Sequence, residues 1–227
     1  MTLRIGKEQA VKKILTLILA GMMFTYMIAF SSFAGENVPA GYMSFEEMVS
    51  KYFENKDTAT VLDKSGNDIT LNFFAYNTAN YENRDYQSIR NYLESNVSEL
   101  RYREVSLPST ARLGTSKYVK DHGSVLISDK YGHTGYLTME VGGTIVYDRN
   151  TGEILSAYNA KLVRADYTDF YEWTFTNKNV TTKSRISSDK FTAYFTAGLQ
   201  SIGRYSQSPL DYDFGYHEFT TSTQAGD

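Results

Sequence analysis

Three histidines, His122, His133 and His217, are the side chains of this sequence best suited to proton transfer near neutral pH. Each sits among polar or glycine neighbours, and no two lie within ten residues of each other, so no local metal-ligand spacing exists. Acids cluster at Asp211 and Asp213, with Glu218 beyond. A hydrolytic centre would require His133 or His217 to meet Asp211, Asp213 or Glu218 in a cleft. Asp211, Asp213 and Gly215 resemble the opening of a calcium loop but lack the remaining oxygen ligands, so a solvated loop is expected. Ser187 and Lys190 have the Ser-x-x-Lys spacing of penicillin-binding enzymes. They lie between two β-patterned runs, where a hairpin turn accounts for them. The chain has no cysteine, which excludes thiol catalysis and disulfides. No metal or cofactor is predicted.

The second chemical resource is aromatic. The chain carries 19 tyrosines and a single tryptophan. Tyrosine suits a half-buried sheet, where the ring packs and the hydroxyl reaches water. It also builds contact surfaces at low entropy cost. Tyr131, Tyr136, Tyr205, Tyr212 and Tyr216 lie in or near glycine-bearing loops and are the predicted ligand-contacting residues.

The N-terminus says where these groups work. Arg4, Lys7, Lys12 and Lys13 precede an apolar run over residues 14–30, and Ser32 and Ala34 supply small residues at the end. That order is a secretory signal, spanning residues 1–34, with cleavage expected between Ala34 and Gly35. The alternative is an uncleaved membrane anchor, since 17 apolar residues are at the lower limit for crossing a bilayer. Both place the body outside the cytoplasmic membrane. Absence of cysteine in an exported chain favours a bacterial product with a core large enough to need no staples.

The remaining chain holds 19 basic and 25 acidic residues, a net charge of −6. A nucleic-acid binder needs a concentrated basic footprint, so that class is excluded. No polybasic membrane patch occurs either.

The elements that must position these residues fall into two segments. Over 35–103, Ser44 and Glu47 form a capping box for a helix ending near Asn55, with Phe45, Met48, Val49, Tyr52 and Phe53 on its apolar face. Residues 58–62 and 69–76 read as two strands around a polar turn, the second with Ile69, Leu71, Phe73 and Ala75 on one face. A second helix begins after Asp85 and carries Ile89, Tyr92, Leu93, Val97 and Leu100 at the 3.6-residue period, with Arg90–Glu94 and Glu99–Arg103 as charge pairs.

Residues 104–119 form a connector, with a short strand near 104–107. From there to the end the pattern is β, with strands predicted over 124–128, 135–141, 144–148, 154–164, 170–176, 181–186, 190–200 and 216–221. Gly142 and Gly143 are expected to be a bulge that joins two of these. Tyr171, Trp173 and Phe175 share one face, as do Phe191, Ala193, Phe195, Ala197 and Leu199.

The expected fold class is α+β, predominantly antiparallel β. Two N-terminal helices accompany a curved sheet or sandwich-like meander, with 104–227 as the β-rich segment packed with 35–103. The expected function is a secreted, non-enzymatic binding protein whose partner is a glycan, a peptide or a cell-surface protein. Two alternatives stand beside it: an extracellular hydrolase acting on a wall or extracellular polymer, and a structural or toxin-neutralising partner protein.

Overall fold

The computed structural model describes residues 32–33, 40–103 and 115–225. Ser44 caps helix α1 (Phe45–Glu54), its hydroxyl accepting the Glu47 amide at 3.1 Å, and the helix stops at Asn55. Met43, Phe45, Met48, Val49 and Tyr52 are buried along one side, as the sequence period requires.

Residues 69–76 are not a strand. Strand β3 (Thr60–Asp63) ends in a turn where the Asp63 carboxylate accepts the Ser65 and Asn67 amides. Helix α2 (Thr70–Glu82) follows at once. The alternation of Ile69, Leu71, Phe73 and Ala75 is accidental: Leu71 is 86 % exposed while Phe73 is 1 % exposed. What decides is the helical set Phe73, Phe74, Asn77 and Tyr81, of which the three rings pack on Phe53 of α1 while the buried Asn77 amide donates to the Phe73 carbonyl.

Helix α3 (Tyr86–Asn96) begins where expected, with Asp85 accepting the Ser88 amide, but it stops before Val97. Val97 and Leu100 lie on strand β4 (Val97–Arg103), not on the helix. Leu100 and Tyr102 alternate with Glu99, Arg101 and Arg103, and that two-residue period wins once a neighbouring strand is present. The expected charge pairs dissolve with it. Glu99 binds Arg101 on its own strand, and Arg90 reaches Asp169 in a later loop. Among the described residues three helices therefore stand where two were expected.

The remaining chain forms long strands: β5 (Thr115–Ser128), β6 (Thr134–Tyr147), β7 (Ile154–Thr168), β8 (Trp173–Ile186), β9 (Thr192–Tyr205) and β10 (Tyr212–Gln224). β6 runs unbroken through Gly142 and Gly143 with a register shift against β7, as the bulge expectation required. β8 likewise joins two predicted strands across a register break between Lys178 and Thr181. The strand expected near 104–107 lies outside the described residues.

Two sheets result. The first has the order β2-β7-β6-β5-β4-β3, where β2 (Ala40–Tyr42) adds parallel to β7. The second has the order β1-β8-β9-β10, where β1 (Ser32–Phe33) pairs antiparallel with Thr181 and Thr182. β1 lies inside the segment expected to be the secretory leader.

The sheets pack face to face. Leu137, Met139, Val141 and Ile145 of the first meet Ala193, Phe195, Ala197, Leu199 and Phe219 of the second. They come close enough that the Phe219 and Phe195 rings lie directly over Gly123 and Gly143, where a Cβ would collide with them. The opposite face of the first sheet receives the helices through Leu100, Tyr102 and Tyr136. The fold is thus α+β, in three layers of helices, sheet and sheet. Short hairpin loops join β5 to β6 and β9 to β10, and residues 169–172 carry the chain from β7 in the first sheet to β8 in the second.

Candidate functional site

Three loops, two of them hairpins and one the crossing between the sheets, deliver aromatic side chains to one place. Residues 129–133 join β5 to β6, residues 169–172 join β7 to β8, and residues 206–211 join β9 to β10. Trp173 opens β8, Tyr205 closes β9 and Tyr212 opens β10. Tyr131 and Tyr212 meet edge to face at 5.7 Å, and His133 meets Tyr212 at 5.1 Å and Trp173 at 5.0 Å. Trp173 also contacts Tyr205 at 5.7 Å and Tyr212 at 5.1 Å.

Below them Phe170, Phe175 and Phe214 contact Trp173 and lead into the inter-sheet core, where Phe175 stacks on Tyr167 at 3.6 Å. The cluster therefore has a rigid floor. Its outer rings are open: Tyr131 is 63 % exposed, and Tyr171 in the adjoining loop is 75 % exposed.

Polar contacts tie the loops together. The Ser206 amide donates to the Glu172 carbonyl at 2.9 Å, and the Tyr205 hydroxyl donates to the Glu172 carboxylate at 3.1 Å. That carboxylate holds the Tyr205 hydroxyl above its ordinary pKa, with a smaller contribution from desolvation. Arg204 donates to Asp211 at 2.8 Å, and the Lys130 ammonium lies 4.9 Å from the Tyr131 ring centre. Asp169 and Glu172 have φ of 73° and 62°, a left-handed backbone that non-glycine residues rarely adopt. Such conformations concentrate where surrounding structure holds a loop for a purpose.

The 129–133 hairpin carries the one buried acid of the cluster. Asp129 Oδ1 accepts the amides of Tyr131 at 2.9 Å and His133 at 3.0 Å, closing the turn. Its Oδ2 stands 2.7 Å from His133 Nδ1. Burial pulls the Asp129 carboxyl up. The His133 hydrogen bond and the two backbone amides outweigh it, and the carboxyl lies below the usual range.

Of the five expected tyrosines, Tyr131, Tyr205 and Tyr212 join this cluster, and two do not. Tyr136 is buried under α1, with its ring 5.9 Å from Phe45 and its hydroxyl pushed up by desolvation, so it cannot touch a ligand from solvent. Its strand alternates toward the helices, and only tertiary packing reveals what covers that face. Tyr216 lies on the outer face of the second sheet over Gly198, its hydroxyl bonded to Thr181.

The expected His–acid meeting takes a different form. His133 bonds to Asp129, an acid outside the expected set. His217 Nε2 bonds to the Phe214 carbonyl at 2.9 Å, Asp211 pairs with Arg204, Asp213 accepts from Gln200 and the Gly215 amide, and Glu218 is exposed. His122 stacks on Tyr102 at 4.4 Å, buried within the first sheet and away from the others. Among the described residues no three His, Asp or Glu side chains converge as a metal site.

Trp173 belongs to the site and Tyr171 flanks it in the 169–172 loop, and the sequence pattern marks both only as strand residues. The signal that could have found them was the Phe170–Tyr171–Glu172–Trp173 run at a strand start. Asp129 was hidden by its ordinary role as a turn residue.

A polar groove of about 340 Å³ lies elsewhere, between β4 and β10. Its guanidinium groups already hold partners within the fold: Arg103 chelates Asp121 and reaches the Ser222 carbonyl, and Arg101 pairs with Glu99. No helix among the described residues is long and apolar enough to cross a membrane. Comparison with known protein families, with curated proteins and with solved structures finds no match for this chain.

Proposed function

We propose that this chain is an exported binding protein that holds an extracellular glycan on the aromatic end of its β-sandwich. The observation that carries this reading is the convergence of Tyr131, His133, Trp173, Tyr205 and Tyr212 from three separate loops onto one partly open surface. A sugar ring has a flat face of C–H bonds that packs on an aromatic face, and an edge of hydroxyls that needs polar partners. Glu172 and Asp211 supply such partners at the rim. The rigid floor lowers the ordering cost of binding.

The single tryptophan of the chain is Trp173, so intrinsic tryptophan fluorescence reports on this site alone. Titration with cellohexaose, chitohexaose and maltohexaose to about 1 mM tests the reading, since a binding energy of about 4 kcal/mol gives half-occupancy there. A saturable change with at least one of them, lost on double substitution of Tyr131 and Tyr212 by Ala, supports it. A flat response to all three overturns it.

A hydrolytic second reading draws on the Asp129–His133 pair, which is the base-and-orienter half of a general-base arrangement. Release of reducing ends from the same oligosaccharides, abolished by H133A, would favour it.

A further inference from the structure

We infer that His133 is the hydrogen-bond acceptor of the aromatic site, offering an unprotonated Nε2 to a hydroxyl of the bound ligand. This rests on the glycan reading and deepens it by assigning the polarity of one contact. Asp129 Oδ2 can only accept when ionised, so the hydrogen between it and His133 Nδ1 belongs to the imidazole. In the neutral ring that leaves Nε2 with a lone pair.

Among the described residues Nε2 has no hydrogen-bond partner within the fold, and the ring is 43 % exposed. The imidazole is wedged against the Trp173 and Tyr212 rings, so the acceptor lies beside the surfaces on which a sugar would rest. The charged groups of the neighbouring loops are Lys130, Asp169 with its partner Arg90, Glu172, and Asp211 with its partner Arg204. The acids among them accept, as His133 does. The rim thus mixes acceptors with the Lys130 and Arg204 donors, and a neutral polyol, whose hydroxyls both donate and accept, can engage both.

Asp129 is thus a positioning residue and His133 the ligand-contacting one. Three variants separate this role from a purely structural one. D129N keeps an oxygen for the two turn amides but turns an N–H toward Nδ1, which moves the ring hydrogen to Nε2 and removes the acceptor. H133F keeps a ring without an acceptor. H133Q keeps an oxygen near the place of Nε2. Long-range ¹H–¹⁵N correlation of the imidazole should show hydrogen on Nδ1 in the wild type and on Nε2 in D129N.

In the Trp173 fluorescence titration with the same three hexasaccharides, D129N and H133F should each weaken binding about tenfold, with H133Q within about threefold of wild type, as expected for one lost hydrogen bond. H133F leaves the Asp129 turn bonds in place and carries the test if D129N does not fold. Wild-type binding that all three variants match overturns the inference, as does a wild-type ring with hydrogen on Nε2. Failure of the wild type to bind any of the three sugars is a different result, which overturns the glycan reading itself.

Discussion

The imidazole of His133 is held at 2.7 Å by a carboxylate that solvent hardly reaches: the Asp129 side chain is 1 % exposed and the ring it orients is 43 % exposed. A hairpin of five residues thereby turns a flexible surface histidine into a fixed one. Turn closure and ring orientation share one carboxylate, using its two oxygens separately.

This pair sets a pH dependence of stability. The Asp129 carboxyl lies below its ordinary value in the folded protein, so the unfolded chain binds the proton more readily. Its contribution is complete above the unfolded carboxyl pKa of about 3.9 and is lost as pH falls through the lower folded value. Urea midpoints at pH 7, 5, 4 and 3 should fall mainly in the last interval. D129N should flatten that fall without abolishing it, because Asp63, Asp68, Asp85 and Asp189 are depressed in the same sense by their turn and cap hydrogen bonds.

Close approach of the two sheets rests on glycine. At Gly143 an added methyl group meets the Phe195 ring, which is fully buried and cannot swing aside. G143A is expected to destabilise by about 1–3 kcal/mol, the usual range for overpacking. A glycine in an open turn is the control: Gly132 has nothing near its absent Cβ, and the cost of G132A comes from its φ of 90° alone. Thermal unfolding of both variants by circular dichroism measures the difference.

Helix α2 reverses the burial that an alternating strand would impose. Leu71→Lys should change stability by less than about 0.5 kcal/mol, as for an ordinary surface position. Phe73→Ala should cost about 3–5 kcal/mol through the cavity left among Phe53, Phe74 and Tyr92. Equal effects in chemical denaturation would contradict a helix here.

Cleavage between Ala34 and Gly35 would remove β1 and make β8 an edge strand. A protein beginning at Gly35 should fold with a loss of about 1 kcal/mol or less, since only two residues leave the ladder. Amide exchange at Thr181 or Thr182 should accelerate, while Ala197 and Gly198, flanked on both sides within the sheet, stay protected. Fast exchange reaching β9 would mean that β1 supports the sheet.

The sequence by itself determined what local chemistry controls. The Ser44 cap and the Asn55 end of α1, the turns at Asp63 and Ser187, and the antiparallel β class follow from residue types over a few positions. Its alternation also marked Ala193, Phe195, Ala197 and Leu199 as one buried face. Tertiary structure decided the rest. Short apolar runs fit either period, so neighbours settled α2 as a helix and Val97–Arg103 as a strand. Likewise, Tyr131 and Tyr136 are both tyrosines near a glycine. One faces solvent at a hairpin tip and the other is sealed under α1, because burial depends on which element lands on a strand's face. The meeting of Tyr131, Trp173 and Tyr212 spans three loops at one end of the two sheets, and sheet packing alone brings such distant positions together.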